Sequence, residues 1–149
     1  LVGQHLGAKD PERAEREGWR SNWSAVGTMT VIGVLLALFA RPIAQVFTDD
    51  SDVIELTITV LTIFGFAHPF MAVEFAIGGA LRGAGDTVFP MISVFSGLVV
   101  VRLGLAMALV MFWGAPIEWV WSVLIVDYAL KSALLIARFR SGSWKFREV

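Results

Sequence analysis

Five ionisable side chains lie inside long apolar stretches of the sequence: His68, Glu74, Arg102, Asp127 and Lys131. A charged group inside a bilayer is costly, so such residues mark candidate sites of ion or substrate binding. Asp127 and Lys131 are four residues apart, so on a helix they share a face and can pair. In one interpretation the pair has a structural role, because pairing opposite charges reduces the cost of burying them. In the alternative, Asp127 faces a cavity and attracts a cationic substrate.

The other three groups also allow more than one interpretation. The Glu74 carboxylate can exchange a proton or bind sodium. In the structural alternative it pairs with Arg82, about 12 Å further along the same helix, or is hydrated by the cytoplasmic vestibule. Histidine gains and loses a proton near neutral pH, so His68 can relay protons. Because His68 precedes a proline, its imidazole can instead bond to a carbonyl that the proline leaves free. Arg102 is interpreted as the structural partner of a carboxylate, either Glu74 or Asp127.

The composition indicates a membrane protein. Apolar residues make up 56% of the 149 residues and charged residues 17%, whereas a soluble domain has about 25% charged residues. Mean hydropathy is +0.71. The apolar stretches are long enough to span a hydrocarbon core, which takes about 20 helical residues, and too long and uniform for the strands of a barrel.

The predicted fold class is therefore all-α: a polytopic membrane helix bundle of four transmembrane helices, preceded by a short amphipathic cytoplasmic helix. The predicted organisation is the end of a preceding helix plus an amphipathic cytoplasmic connector at 1–23, spans at about 24–47, 53–81, 87–113 and 117–138, and a cytoplasmic tail at 139–149. Small residues within the spans, Gly97 and Gly104 among them, allow close helix packing.

The distribution of charge predicts the orientation. Lysine and arginine concentrate in residues 1–23 and in the tail, whereas the connector at 49–52 is acidic. By the positive-inside rule, both ends of the segment and the turn at Arg82 are cytoplasmic, as an even number of spans requires. Tryptophans near predicted span ends are expected to act as interfacial anchors: Trp23, Trp113, Trp119, Trp121 and Trp144.

A polar octamer, ALRGAGDT at 80–87, separates the second and third spans. Its glycines permit a tight reversal, and Asp86 or Thr87 can cap the next helix. The octamer lacks the third glycine and the lysine of a phosphate-binding loop. The chain has no cysteine, which excludes disulfides and thiol chemistry. We therefore predict no catalytic or metal site, no enzymatic activity, no cofactor and no nucleic-acid partner.

Several motifs then occur in matching order: VGQHLGA, ARPIAQVFTDD, ALRGAGDT and RFRSGSWK. Together they resemble the carboxy-terminal third of the multidrug and toxic compound extrusion (MATE) transporters. The residues that carry the resemblance most specifically are Gly3, Gln4, Gly7, Arg82, Gly83, Gly85, Asp86 and Thr87.

The resemblance implies a twelve-helix protein of two lobes, of which these four spans are the last four. It implies a secondary active antiporter of the plasma membrane, which exports organic, often cationic, compounds in exchange for protons or sodium ions by alternating access. The implied partners are the missing amino-terminal lobe, small organic substrates and the lipid bilayer. In the sodium-coupled branch an aspartate stands where this chain has Met71, and Glu74 falls where that branch has an amide.

Two other functions remain open. One is a flippase or exporter of lipid-linked or polysaccharide precursors in the same superfamily, which a basic cavity would favour, whereas an acidic cavity favours cationic compounds. The other is a small four-helix membrane scaffold that transports nothing. We expect the sequence to be part of a longer transporter, because it starts without a methionine and inside a motif.

Overall fold

The computed structural model describes residues 2–146. Its helices are α1 (Val2–Gly7), α2 (Pro11–Leu38), α3 (Ala40–Phe47), α4 (Ser51–Gly83), α5 (Val88–Trp113) and α6 (Ile117–Arg140), followed by a 3-10 turn at Ser143–Phe146. Helices α2, α4, α5 and α6 are each long and apolar enough to cross a membrane. Residues 2–146 contain no β-strand. The predicted all-α fold with four spanning helices is confirmed.

Helix α2 joins the charged segment and the first apolar stretch in one continuous helix. Asp10 caps its start by accepting a hydrogen bond from the backbone N–H of Arg13 at 3.0 Å, and Pro11 occupies the first turn. The predicted start of a separate span at residue 24 is therefore not a helix end. Backbone hydrogen bonds continue through the change from polar to apolar side chains, so the predicted short amphipathic helix and the first span form one continuous helix.

The predicted first span, 24–47, is also interrupted near its far end. Helix α2 ends at Leu38, and α3 begins at Ala40. Pro42 has no N–H to donate to the carbonyl of Leu38, and its ring crowds that carbonyl, which explains the break. Regular bonding resumes where Ile43 donates to the carbonyl of Phe39 at 3.0 Å.

Helix α4 lies at the centre of the bundle and packs against both α2 and α6. It is 33 residues long, or about 50 Å, so its ends extend beyond a hydrocarbon core of about 30 Å. Asp50 caps its start by accepting from the backbone N–H of Asp52 at 2.9 Å. Pro69 lies inside the helix without ending it.

Two glycines bring α2 and α4 into backbone contact. A Cβ atom placed on Gly33 would lie 2.4 Å from the carbonyl oxygen of Gly65, and one placed on Gly65 would lie 2.6 Å from the carbonyl oxygen of Gly33. Neither position therefore accepts a side chain without a shift of the backbone. Small residues at a crossing of this kind are how membrane helices approach closely.

A compact apolar core forms where α1, the end of α4 and the end of α6 meet. Trp144 is fully buried there; its indole N–H donates to the carbonyl of Phe139 at 2.7 Å, and the two rings stack with centroids 4.8 Å apart. Its predicted role as an interfacial anchor is therefore wrong. Gly142, with φ 67°, turns the chain after α6 and returns the tryptophan to the bundle.

The middle of α5 winds differently from its two ends. Residues Gly97–Leu105 form a π-helix, whose hydrogen bonds join residues five apart. Arg102 lies within this segment. A run of apolar residues is compatible with both an α-helix and a π-helix, so the sequence pattern did not predict the π-helix.

Candidate functional site

Four of the five predicted intramembrane charges meet between α4, α5 and α6. An Arg102 guanidinium nitrogen, Nη2, donates to Asp127 Oδ2 at 2.6 Å. The Lys131 ammonium lies 3.2 Å from the same oxygen and 3.1 Å from Glu74 Oε2. We call Glu74, Arg102, Asp127 and Lys131 the charge cluster. Two acids and two bases give it a formal charge of zero, which reduces the cost of burying it.

Burial differs along the charge cluster. The Asp127 side chain is fully buried, those of Lys131 and Glu74 are 5% and 12% exposed, and that of Arg102 is 34% exposed. The Asp127 carboxylate and the Lys131 ammonium are thus enclosed by protein, whereas the Arg102 guanidinium lies at the edge of the charge cluster. Asp127 Oδ1 is buried and makes no hydrogen bond among the described residues.

Tyr128 contributes an aromatic face to the same cluster. The Lys131 ammonium lies 4.3 Å from the centre of its ring, and the guanidinium carbon of Arg102 lies 5.3 Å from it. Cations within about 6 Å of an aromatic face are stabilised by the ring electrons. Tyr128 is not among the predicted site residues, although its spacing of three residues from Lys131 is a signal that such a contact is possible.

Gly97 allows α5 to approach the cluster. A Cβ atom at this position would lie 2.4 Å from Asp127 Oδ1 and 2.7 Å from Lys131 Cδ. The sequence predicted a packing glycine here, and the structure shows that its neighbours are the charged side chains of α6. Any larger residue would displace either the carboxylate or the lysine stem.

The predicted pairings have different outcomes. The Asp127–Lys131 pair is present, and of the two carboxylates considered for Arg102 the structure selects Asp127. The pairing of Glu74 with Arg82 is wrong, because Glu74 faces α6 and contacts Lys131, whereas Arg82 is exposed at the end of α4.

His68 lies apart from the charge cluster. Its Nδ1 is 2.7 Å from the carbonyl oxygen of Phe64, and its ring meets the Phe64 ring edge to face. It is 8% exposed and packs beside Gly33 at the crossing of α2 and α4. The imidazole therefore bonds to the carbonyl of Phe64, five residues before Pro69. The carbonyl that Pro69 leaves without a donor is that of Gly65, so the predicted contact with a freed carbonyl is wrong.

Residues of two family motifs meet at the end of α4. A Cβ atom on Gly3 would lie 2.3 Å from the carbonyl oxygen of Gly83, so α1 sits directly on the backbone there. Gly85 has φ 81° and supplies the predicted reversal. The remaining motif residues on the surface are Gln4, Gly7, Arg82 and Thr87.

Asp86 makes a second buried ion pair. Its carboxylate is fully buried and accepts from the Nε of Arg138, near the end of α6, at 2.7 Å. The Arg138 guanidinium also lies over the ring of Phe89, 5.2 Å from its centre. Thr87 precedes α5 without a side-chain bond to its backbone, so the predicted threonine cap is absent. Sequence analysis used Arg138 only as a marker of orientation and missed this contact, which joins residues 52 apart.

A groove of about 860 Å³ runs between α2 and α4 on another face of the bundle. It is lined by Glu17, Arg20, Ser21, Ser24, Ala25, Thr28, Met29, Ala72, Phe75 and Ala76. Glu74 projects toward α6 and is not among these lining residues, so the groove and the charge cluster are separate features.

A family model described as MatE matches residues 1–117. The chain belongs to the MatE family. With four helices long and apolar enough to span a bilayer, this MatE chain is a multi-pass membrane protein.

Several of its relatives have names that refer to multidrug resistance or extrusion. The chain is 33% identical over 152 residues to the "Probable multidrug resistance protein NorM" of Thermotoga maritima, covering 100% of this chain and 32% of that protein. It is 30% identical over 144 residues to human "Multidrug and toxin extrusion protein 2", covering 97% of this chain and 24% of that protein. The MatE chain thus spans about a third of the length of one relative and about a quarter of the other. No solved structure matches it significantly.

Proposed function

We propose that this MatE chain is part of a secondary active antiporter, which exports organic, mainly cationic, compounds in exchange for protons or sodium ions. Membership of the MatE family and the extrusion named for its relatives support transport as the activity, rather than catalysis or a scaffold role. The substrate path would involve an amino-terminal lobe outside this sequence. The relatives are three to four times longer than the aligned segment, which supports a larger transporter.

The observation that carries the coupling role is the position of Glu74 in the charge cluster. Asp127 is held by two bases, whereas among the residues that the structure describes Glu74 forms an ion pair with Lys131 alone, which it shares with Asp127. Within the cluster, Glu74 is therefore the carboxylate whose charge is least compensated. A carboxylate with one shared partner can take up a proton or a cation at a smaller cost than one locked between two bases.

The other intramembrane groups then have supporting roles. Asp127 anchors the two bases, Arg102 and Lys131 neutralise the carboxylates, and His68 stabilises the proline-containing part of α4. The antiporter is proposed to lie in the plasma membrane with both ends of this segment cytoplasmic. The contacts that join α1, the 84–87 turn and the Trp144 region at one end of the bundle support a common side for both ends of the segment, and the lysines and arginines there favour the cytoplasmic side.

Gradient-driven export by the full-length protein in proteoliposomes tests the proposal. We expect Glu74→Gln to abolish export of a fluorescent organic cation driven by a proton or sodium gradient, with the amount of folded protein unchanged. Glu55→Gln is the matched control, because Glu55 lies on the same helix, is largely exposed and pairs with Arg41. Export by Glu74→Gln at the native rate under both gradients would refute the coupling role.

A further inference from the structure

The Lys131 ammonium occupies the space between two buried carboxylates. It lies 3.1 Å from Glu74 Oε2 and 3.2 Å from Asp127 Oδ2, and its side chain is only 5% exposed. The Lys131 stem is confined by α5, because the Cβ position of Gly97 lies 2.7 Å from its Cδ. The ammonium thus has the charge, and stands in the position, of a monovalent cation bound by both acids.

A second observation indicates that this position is suited to a cation. Asp127 Oδ1, on a fully buried side chain, makes no hydrogen bond among the described residues, and Glu74 Oε2 lacks one of good geometry despite its contact with the ammonium. Oxygen atoms of carboxylates are the ligands that hard metal cations prefer. Arg102 and the Tyr128 ring complete the surroundings; the guanidinium holds Asp127 Oδ2 from the side of α5.

We propose that Lys131 is a tethered cation that fills the place of a sodium ion between Glu74 and Asp127 and so excludes metal cations from this pair. Without the lysine, one acid of the charge cluster is left uncompensated inside the bundle, and a buried charge in that state requires a counter-ion or a proton. Lys131 would then determine which ion the site accepts. This inference rests on the proposed coupling role of Glu74, and it favours the proton as the coupling ion.

The test compares thermal unfolding of the purified full-length protein in sodium chloride and in N-methyl-D-glucamine chloride at equal ionic strength. The native protein is expected to unfold at the same temperature in both salts. Lys131→Met replaces the ammonium with an uncharged side chain of similar length. In the organic salt this variant is expected to unfold at a lower temperature than the native protein. In sodium chloride its unfolding temperature is expected to rise by roughly 2 °C or more, because a ligand that binds only the folded state raises the stability of that state.

Two further variants define the origin of the sodium effect. Lys131→Met combined with Glu74→Gln is expected to lose the response, because only one carboxylate remains. Lys145→Met, which removes a lysine that pairs with Glu15 away from the cluster, is the matched control and should show no response. If Lys131→Met gives too little folded protein, Lys131→Gln is measured in the same way, because it also removes the charge.

Two results would overturn the inference. One is sodium stabilisation of the native protein that Glu74→Gln abolishes, since the lysine would then not exclude the ion. The other is equal destabilisation of both uncharged variants in the two salts, which would make Lys131 a structural partner alone. Because binding is measured without transport, failure here is distinct from unchanged export by Glu74→Gln, which would refute the coupling role itself.

Discussion

Asp127 holds both bases of the charge cluster on one oxygen atom. Arg102 and Lys131 contact its Oδ2 at 2.6 and 3.2 Å, and the side chain is fully buried. Neutralising Asp127 leaves these two bases with Glu74 as the one remaining acid of the cluster. Removing one partner of a buried ion pair costs about 3–5 kcal/mol, because the other charge stays buried without compensation.

We therefore expect Asp127→Asn to reduce the free energy of unfolding of the full-length protein by about 3 kcal/mol, and by more than Glu74→Gln does. Unfolding in detergent, followed by tryptophan fluorescence, provides the measurement. Asp49→Asn is the control: Asp49 is exposed in the connector between α3 and α4, and its loss should change stability by less than about 0.5 kcal/mol. The expectation fails if Asp127→Asn and Asp49→Asn unfold alike.

The spacing of residues along the sequence predicted some of these contacts and not others. The Asp127–Lys131 pair follows from helix geometry, because residues four apart always share a face. The partner of Glu74 depends on which helix packs against α4, and no local pattern contains that information. For the same reason, the sequence could not show that Gly97 lies against the two charged side chains, or that Asp86 pairs with Arg138, 52 residues later in the chain.

Among the structural elements, the end of α6 differs most from its prediction. The sequence suggested a basic cytoplasmic tail, with Trp144 at the membrane interface. Instead, the 3-10 turn returns Trp144 to the core between α6 and the start of α2, where Lys145 pairs with Glu15. A cavity would remain at this junction of helices if the indole were removed, and the loss of a buried large aromatic side chain costs about 3–5 kcal/mol.

Trp144→Ala is accordingly expected to destabilise the full-length protein by about 3 kcal/mol or more. Trp119→Ala provides a matched comparison, because Trp119 is 64% exposed near the start of α6 and contributes little packing within the bundle. The temperature at which half of the protein precipitates from detergent is a suitable readout. A smaller decrease in this temperature for Trp144→Ala than for Trp119→Ala would indicate that the Trp144 indole faces lipid.

Composition predicted the number and class of the elements more successfully than their ends. Four apolar runs gave four spanning helices, because hydrocarbon thickness imposes a minimum length on each. Around the predicted first span, 24–47, the helices differ from one uninterrupted span in two ways, although α3 does end at Phe47. A helix continues wherever its backbone can bond, so the charged segment merged with α2, and Pro42 ended that helix before the apolar run ended.

For the whole molecule, the order of the helices sorts the loops into two groups. Residues 8–10, 84–87 and 141–146 lie at one end, where α1 rests on Gly83 and Trp144 completes the core. The connectors at 48–50 and 114–116 lie at the other end, since α4, α5 and α6 cross the bundle in alternating directions. The first end carries most of the lysines and arginines, and the second carries Asp49 and Asp50.

This arrangement leads to an expectation for orientation in the membrane. Because positively charged loops are retained on the cytoplasmic side, the end with the 84–87 turn should face the cytoplasm and the acidic connector should face outward. The segment contains no cysteine, so single cysteines can be introduced after any cysteine elsewhere in the full-length protein is replaced. Thr87→Cys and Asp49→Cys are suitable positions, because both residues are exposed.

A membrane-impermeant maleimide applied to intact cells should label Asp49→Cys and leave Thr87→Cys unlabelled, while disrupted cells should label both. Ser141→Cys, exposed after α6, should behave like Thr87→Cys, since two spanning helices, α5 and α6, separate these positions. Labelling of Thr87→Cys and not of Asp49→Cys in intact cells would show that the topology is the inverse of the one predicted. Labelling of Thr87→Cys together with Asp49→Cys would mean that α4 does not cross the membrane, despite a length of 33 residues.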